Sequence, residues 1–229
     1  MIVFRNVTKR YGTKMFALRN VSMNVEKGEF VFLVGRSGAG KSTVIKLLLK
    51  EIEPTSGDIF VAGKNLRQLS SWKIPQLRRN IGCIFQDFKL LPNKTVFENI
   101  AFALEVIGKP SYVIQSQVPQ VLQLVGLAEK AEHYPHELSA GEQQRISMAR
   151  AFVNRPPPLL LADEPTGNLD PYTSEGIMKL ISRINKIGTT VLMATHDKAL
   201  VDSVRMRVVE LDEGEVVRDQ EKGVYGYET

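Results

Sequence analysis

Gly35-Arg36-Ser37-Gly38-Ala39-Gly40-Lys41-Ser42 is the stretch that decides the fold of this 229-residue chain. It satisfies every fixed position of the phosphate-cradling pattern G-x-x-x-x-G-K-[ST]. Before it, Glu29 to Val34 is a short, mostly apolar run rich in β-branched and aromatic residues, the composition of a buried parallel strand. After it, Thr43 to Glu51 is built from strong helix formers. A strand, a glycine-rich turn and a helix bring backbone N–H groups and the positive end of a helix dipole to one point, which suits a polyphosphate. Gly35, Gly38 and Gly40 let the main chain approach closely, Lys41 supplies a point charge for β- and γ-phosphate oxygens, and Ser42 offers a hydroxyl to Mg²⁺. The chain is expected to bind a nucleoside triphosphate.

Outward from this turn, the sequence reads as one α/β domain. Ile2, Phe4 and Val7, then Leu18, Val21, Met23 and Val25, alternate with polar residues and predict an antiparallel β-layer laid against the nucleotide strand. Asp58–Ala62 and Ile81–Phe85 read as strands, with short helix and loop between them. Val96, Ile100, Ala103, Leu104 and Ile107 recur at helical spacing, as do Val118, Val121, Leu122 and Val125, with Pro119 marking a first turn or a kink. The predicted architecture is a P-loop core, approximately 1–86 and 156–229, with a mainly parallel sheet and flanking helices. A helical subdomain is inserted at approximately 87–155. Residues 172–186 read as helix, 189–194 as strand, and Val204–Leu211 with Glu215–Arg218 as a hairpin around Asp212-Glu213-Gly214.

Composition narrows the setting. A net charge of +5, spread without long basic runs, predicts a solvated basic surface and no specific nucleic-acid site. The first ten residues lack the apolar core of a secretory signal, and no apolar stretch approaches the ~18 residues needed to span a bilayer. Cys83 is the single cysteine, which excludes an internal disulfide and reads as a small core residue. His133 and His136 read as surface residues.

Two further stretches carry chemistry. Leu159 to Ala162 followed by Asp163-Glu164 is a buried strand delivering two carboxylates at a fixed distance from the phosphates. Asp163 is expected to hold Mg²⁺ through its water shell, and Glu164 to act as general base or water-positioner. Leu138-Ser139-Ala140-Gly141-Glu142 opens a helix, and Ser139 and Glu142 have capping-box spacing. Physics alone leaves two readings open: an ordinary well-capped helix, or a helix start whose N–H groups receive an anion.

Leu138–Glu142 is similar to the signature motif of the ATP-binding cassette (ABC) ATPases, and the resemblance extends over essentially the whole chain. Tyr11, the P-loop, Gln86, the signature, Asp163-Glu164, Gly167–Asp170 and His196 follow in that family's order. The resemblance implies ATP and Mg²⁺ as ligands, ATP hydrolysis, and two cassettes paired head to tail with each ATP held between one P-loop and the other protomer's signature. It implies that Tyr11 stacks on adenine, that residues Gly35, Arg36, Ser37, Gly38, Ala39, Gly40, Lys41, Ser42 and Thr43 wrap the phosphates, and that Gln86 senses Mg²⁺ and a membrane partner. By the same resemblance Ser139 and Gly141 reach the γ-phosphate across the dimer, Asp170 spans the interface, and His196 bonds the γ-phosphate. Ala140 departs from the usual second glycine of the signature, and Pro156-Pro157-Pro158 predicts a local loop change with strand register kept.

Within the family, Ile81 to Leu91 and Leu161 to Asp170 resemble cassettes of bacterial cell-division complexes, and Val216-Val217-Arg218-Asp219 with Gly223-Val224-Tyr225-Gly226 is similar to their actinobacterial form. That resemblance implies an integral-membrane subunit docked near Gln86 to Leu91, an indirect link to peptidoglycan hydrolases, and a peripheral place on the cytoplasmic membrane face. Cassettes of lipoprotein-release or macrolide-export systems share parts of these stretches and remain a second reading. A nucleotide-gated scaffold with incidental turnover is a third.

Overall fold

The computed structural model describes residues 1–12 and 15–225; Gly226, the end of the tail motif, lies outside them. Phe30–Val34 (β3), wholly buried, is central in a six-stranded sheet and runs parallel to both its neighbours. The sheet also contains Ile81–Phe85 (β6), Leu159–Asp163 (β7), Thr190–Thr195 (β8), Arg207–Asp212 (β9) and Glu215–Gln220 (β10), in the order β10-β9-β3-β8-β7-β6. Only β10 is antiparallel, closing the hairpin expected around Gly214. Buried on both faces, β3, β7 and β8 need no alternation, which is why they read as near-continuous apolar runs.

A second, four-stranded sheet has the order β2-β1-β4-β5, from Ile2–Tyr11 (β1), Met15–Val25 (β2), Ser56–Val61 (β4) and Lys64–Asn65 (β5). Its inner residues Ile2, Phe4, Leu18 and Val21 pack with Val31, Leu33 and the helix Lys41–Leu48 (α1) in one core. A second core lies on the other sheet face. There Phe32 and Val34 meet Val96–Glu105 (α3), Ser111–Leu124 (α4) and Ala140–Phe152 (α5), which come between β6 and β7 in the chain. Capping boxes of Thr95 with Glu98 and Ser139 with Glu142 start α3 and α5.

Ile74–Arg78 (α2) precedes β6, and Pro171–Lys186 (α6) buries Ile177, Met178, Ile181 and Ile184. Pro156–Pro158 leave β7 in unbroken register with β6 and β8, as expected. Cys83 is half-buried, and burial pushes its thiol up to about 12, so it is an inert thiol.

Several local readings are corrected. Pro119 lies mid-helix in α4, which starts at Ser111, so it does not mark a first turn. Val204 ends a helix, Lys198–Val204 (α7), and β9 begins only at Arg207. α7 buries Val201 alone, so it carries no periodic signal.

Candidate active site

Parallel strands deliver their C-terminal ends to one edge, where an open α/β sheet places its ligand. Here Val34 pairs with Thr195, Asp163 with Ala194 and Phe85 with Asp163, so the P-loop, Asp163-Glu164, His196 and Gln86 all leave the sheet at one level. A cleft of about 900 Å³ opens there. Its wall carries Tyr11 and Gln86 together with Arg36, Lys41, Ser42, Glu164 and His196. Ser37, Gly38, Gly40 and Thr43 complete the P-loop lining. Gly40 sits at φ +109°, and a Cβ there would lie 2.5 Å from the Ala17 carbonyl oxygen of β2. Contact with the antiparallel sheet is therefore a demand on this glycine that does not depend on any ligand.

The charged groups of the cleft form a chain. Lys41 Nζ donates to Gly35 O at 2.7 Å and Arg36 O at 3.2 Å, and lies 3.9 Å from Glu164 Oε1. The same carboxylate oxygen stands 2.8 Å from His196 Nδ1, and Glu164 Oε2 accepts from the His196 backbone N–H at 3.3 Å. Glu164 holds a left-handed conformation at φ +49°, and its N–H donates to Ala194 O at 2.9 Å. A non-glycine residue in that region, pinned by a neighbouring strand, is the kind of strained backbone that clusters at functional sites.

Ser42 Oγ donates to Asp163 Oδ1 at 3.3 Å. Burial raises the Asp163 carboxyl pKa, opposed by that hydrogen bond and by Lys41. These two hard oxygen donors, beside a phosphate cradle, fit Mg²⁺, which keeps several waters and takes one or two protein ligands plus phosphates. Gln86 exchanges hydrogen bonds with Asn168, Nε2 to Oδ1 at 3.2 Å and backbone O from Nδ2 at 3.1 Å.

Ser139, Gly141 and Asp170 lie apart from the cleft lining, at the start of α5 and the N-cap of α6. Asp170 accepts from Thr173 N at 3.0 Å and Thr173 Oγ1 at 2.5 Å, which holds its carboxyl below the usual range. Gly141 packs against that same threonine: a Cβ at 141 would sit 2.3 Å from Thr173 Cγ2.

Sequence reasoning missed Phe16 and Tyr225 in the cleft lining, the pairing of Asn168 with Gln86, and the buried Gln144 of α5, whose amide donates to Pro165 O next to Glu164. Arg150, also on α5, donates to Phe88 O and Lys89 O, fixing two successive left-handed residues. An amphipathic helix pattern does not reveal such polar links, because Gln144 and Arg150 read as ordinary helix formers.

The ABC transporter family model matches residues 18–167. The chain belongs to the ABC transporter family. As a member it is an ATP hydrolase whose nucleotide is ATP. The cassette is 58% identical over 227 residues to the cell division ATP-binding protein FtsE of Mycobacterium tuberculosis, covering 99% of this chain and 98% of the relative. To the protein of the same name from Bacillus subtilis it is 51% identical, covering 99% of each. Among solved structures it resembles an ATP-binding cassette captured as a dimer in a post-hydrolysis state bound to ADP and Pi. That likeness has a TM-score of 0.88 and 35% identity, over 98% of this chain and 100% of the other. Among the described residues, no helix is long and apolar enough to cross a membrane.

Proposed function

We propose that this cassette is the ATP-hydrolysing subunit of a bacterial cell-division ABC complex, pairing with a second copy on ATP and driving an integral-membrane subunit of the FtsX type. The observation that carries the hydrolytic part is the Lys41–Glu164–His196 chain facing the P-loop. Division is supported by relatives named for it at 46–58% identity over nearly the whole chain. The cassette divides into a core, approximately 1–86 and 156–229, and a helical lobe, approximately 87–155.

In this reading Tyr11 stacks on adenine, and Gly35 to Thr43, Ala39 included, surround the phosphates. Lys41 neutralises charge on the β- and γ-phosphate oxygens. Ser42 and Asp163 would hold Mg²⁺, the latter through water, with Gln86 beside them; a bound ion supplies charge neutralisation on the transferred phosphoryl group. Glu164 accepts a proton from the attacking water as its oxygen bonds the γ-phosphorus and the bond to ADP breaks. His196 Nδ1 orients that carboxylate and leaves Nε2 for the γ-phosphate. Ser139 and Gly141 belong to the partner copy's nucleotide, and Asp170 to the interface between copies.

The membrane subunit is assigned to the surface around Gln86 to Leu91. Phe88 is half-buried there, while Phe85 and Leu90 pack onto the two cores, which leaves Phe88 and Leu91 as the apolar contacts on offer. Arg150 links that loop to α5 and to an adjoining cleft of about 510 Å³ lined by Arg78, Arg79, Ala103 and Ile107. Such docking would hold the cassette at the cytoplasmic membrane face and connect it indirectly to peptidoglycan hydrolases.

Purification of the tagged protein from gently solubilised native membranes tests the assignment. A co-purifying FtsX-type subunit, lost with Phe88→Asp while ATP binding persists, is the expected result. A permease with lipoprotein-release or drug-export features would move the function to transport and leave the chemistry standing.

A further inference from the structure

The segment after β10 is fastened to the elements that surround the cleft. Gly223 N donates to Met206 O at 3.1 Å, Arg218 Nη2 to Val224 O at 2.8 Å, and Tyr225 N to Asp202 Oδ1 of α7 at 2.6 Å. The fit is close: a Cβ at Gly223 would lie 2.8 Å from both Cβ and Cγ2 of Val208 in β9. These anchors lie on β9, β10, α7 and the turn between α7 and β9, and α7 starts two residues after His196. The strap is therefore tied to elements that adjoin the His196 end of the site.

Its last described residue, Tyr225, is half-buried. It packs against the core on the helical side of the sheet and also lines the cleft with Arg36, Glu164 and His196. Its hydroxyl feels the charges of Glu210, Glu164 and Arg36. Two of these three, Glu164 and Arg36, line the same cleft as Tyr225. Burial, with the two carboxylates adding to it, raises the phenol pKa and keeps the group a hydrogen-bond donor at neutral pH. In sequence this residue belongs to the Gly223–Gly226 stretch, to which no site role was assigned.

We propose that Tyr225 is a phosphate-contacting residue of the ATP site, held in place by the Gly223–Tyr225 strap, whose hydroxyl donates to the terminal phosphate of the bound triphosphate. This rests on the reading of the cleft as the ATP site. It makes one demand that a purely structural tail does not: the phenol must distinguish ATP from ADP, because only ATP carries the group it contacts.

The test is equilibrium binding of ATP and of ADP, each with Mg²⁺, to the wild type, to Tyr225→Phe and to a chain ending at Val224. Protein is kept dilute enough to remain monomeric. Tyr225→Phe keeps the packing and removes only the donor. ATP affinity is expected to fall about tenfold, the scale of one hydrogen bond to a charged group, with ADP affinity and melting temperature unchanged. In steady state the same variant should raise KM and retain kcat. The shortened chain should show at least the same selective loss. Equal weakening of ATP and ADP, or no change in either, overturns the proposal. So does a Tyr225→Phe effect confined to ATP-driven pairing of two copies, which would make the strap a contact between cassettes. A wild type that fails to bind ATP would instead sink the site reading, and this proposal with it.

Discussion

The two ends of this cassette are built on different terms. At the strand ends, the P-loop, Asp163, Glu164 and His196 come within hydrogen-bond or ion-pair distance of one another in a single chain. At the starts of α5 and α6, Ser139 bonds Glu142, Gly141 and Asp170 both meet Thr173, and none of the three lines the cleft. In the proposed function the first region is the catalytic half, and the second acts on the nucleotide of a partner copy. On that reading a motif can be fully formed and still do nothing alone.

That contrast can be broken most sharply at Glu164. Glu164→Gln should lower ATP turnover by about 10²–10⁴-fold, the range for loss of a general base, while ATP binding persists and the paired form accumulates on size-exclusion chromatography. Turnover at the wild-type rate would remove Glu164 from the chemistry. Next in size, Lys41→Ala removes a charge that already donates to Gly35 and Arg36 carbonyls. ATP affinity of the dilute monomer should drop about 100-fold, the scale of one strong charged hydrogen bond or two modest ones. Isothermal titration of the monomer reads it directly.

The other region should respond in the opposite sense. Ser139→Ala loses the cap of α5, costing about 1 kcal/mol of stability. It should leave monomer ATP affinity unchanged and slow turnover about tenfold at concentrations that permit pairing. A fall in monomer affinity would mean that the signature acts within its own chain. The smallest effect is at Asp170, whose carboxyl is held below its usual range first by the Thr173 hydroxyl and then by the Thr173 N–H. Because the folded value is depressed, the charged cap's contribution is complete above the unfolded value near about 3.9 and is lost as pH falls through the lower folded value. The melting-temperature gap between wild type and Asp170→Ala should be constant from neutral pH to about pH 5 and shrink below about pH 4. A gap independent of pH would show that the charge does not matter there.

What the sequence made legible follows the same division. Residues 35–42, Ile81–Phe85 and the Ser139–Glu142 box are local patterns, and each forms the predicted element because the signal and the structure share a few consecutive residues. The antiparallel layer was readable from alternation, although its short strand β5 was not. α7 escaped because seven residues with one fully buried side chain make no stripe. The Gln86–Asn168 pair, Gln144 on Pro165 O, and Tyr225 in the cleft join residues tens to hundreds of positions apart. No local pattern encodes such pairings; only the folded sheet brings them together.

The contact between Gly141 and Thr173 carries a consequence for the history of such chains. The methyl of Thr173, Cγ2, is what a side chain at 141 would strike, whereas Oγ1 lies 3.5 Å from that position and holds Asp170. Serine at 173 keeps the hydroxyl and deletes the methyl. Alanine at 141 should therefore be tolerated with serine at 173 and resisted with threonine, so that the two positions change in step across a lineage or a selected library. The heredity of a motif residue is in this way written partly in a helix thirty residues downstream.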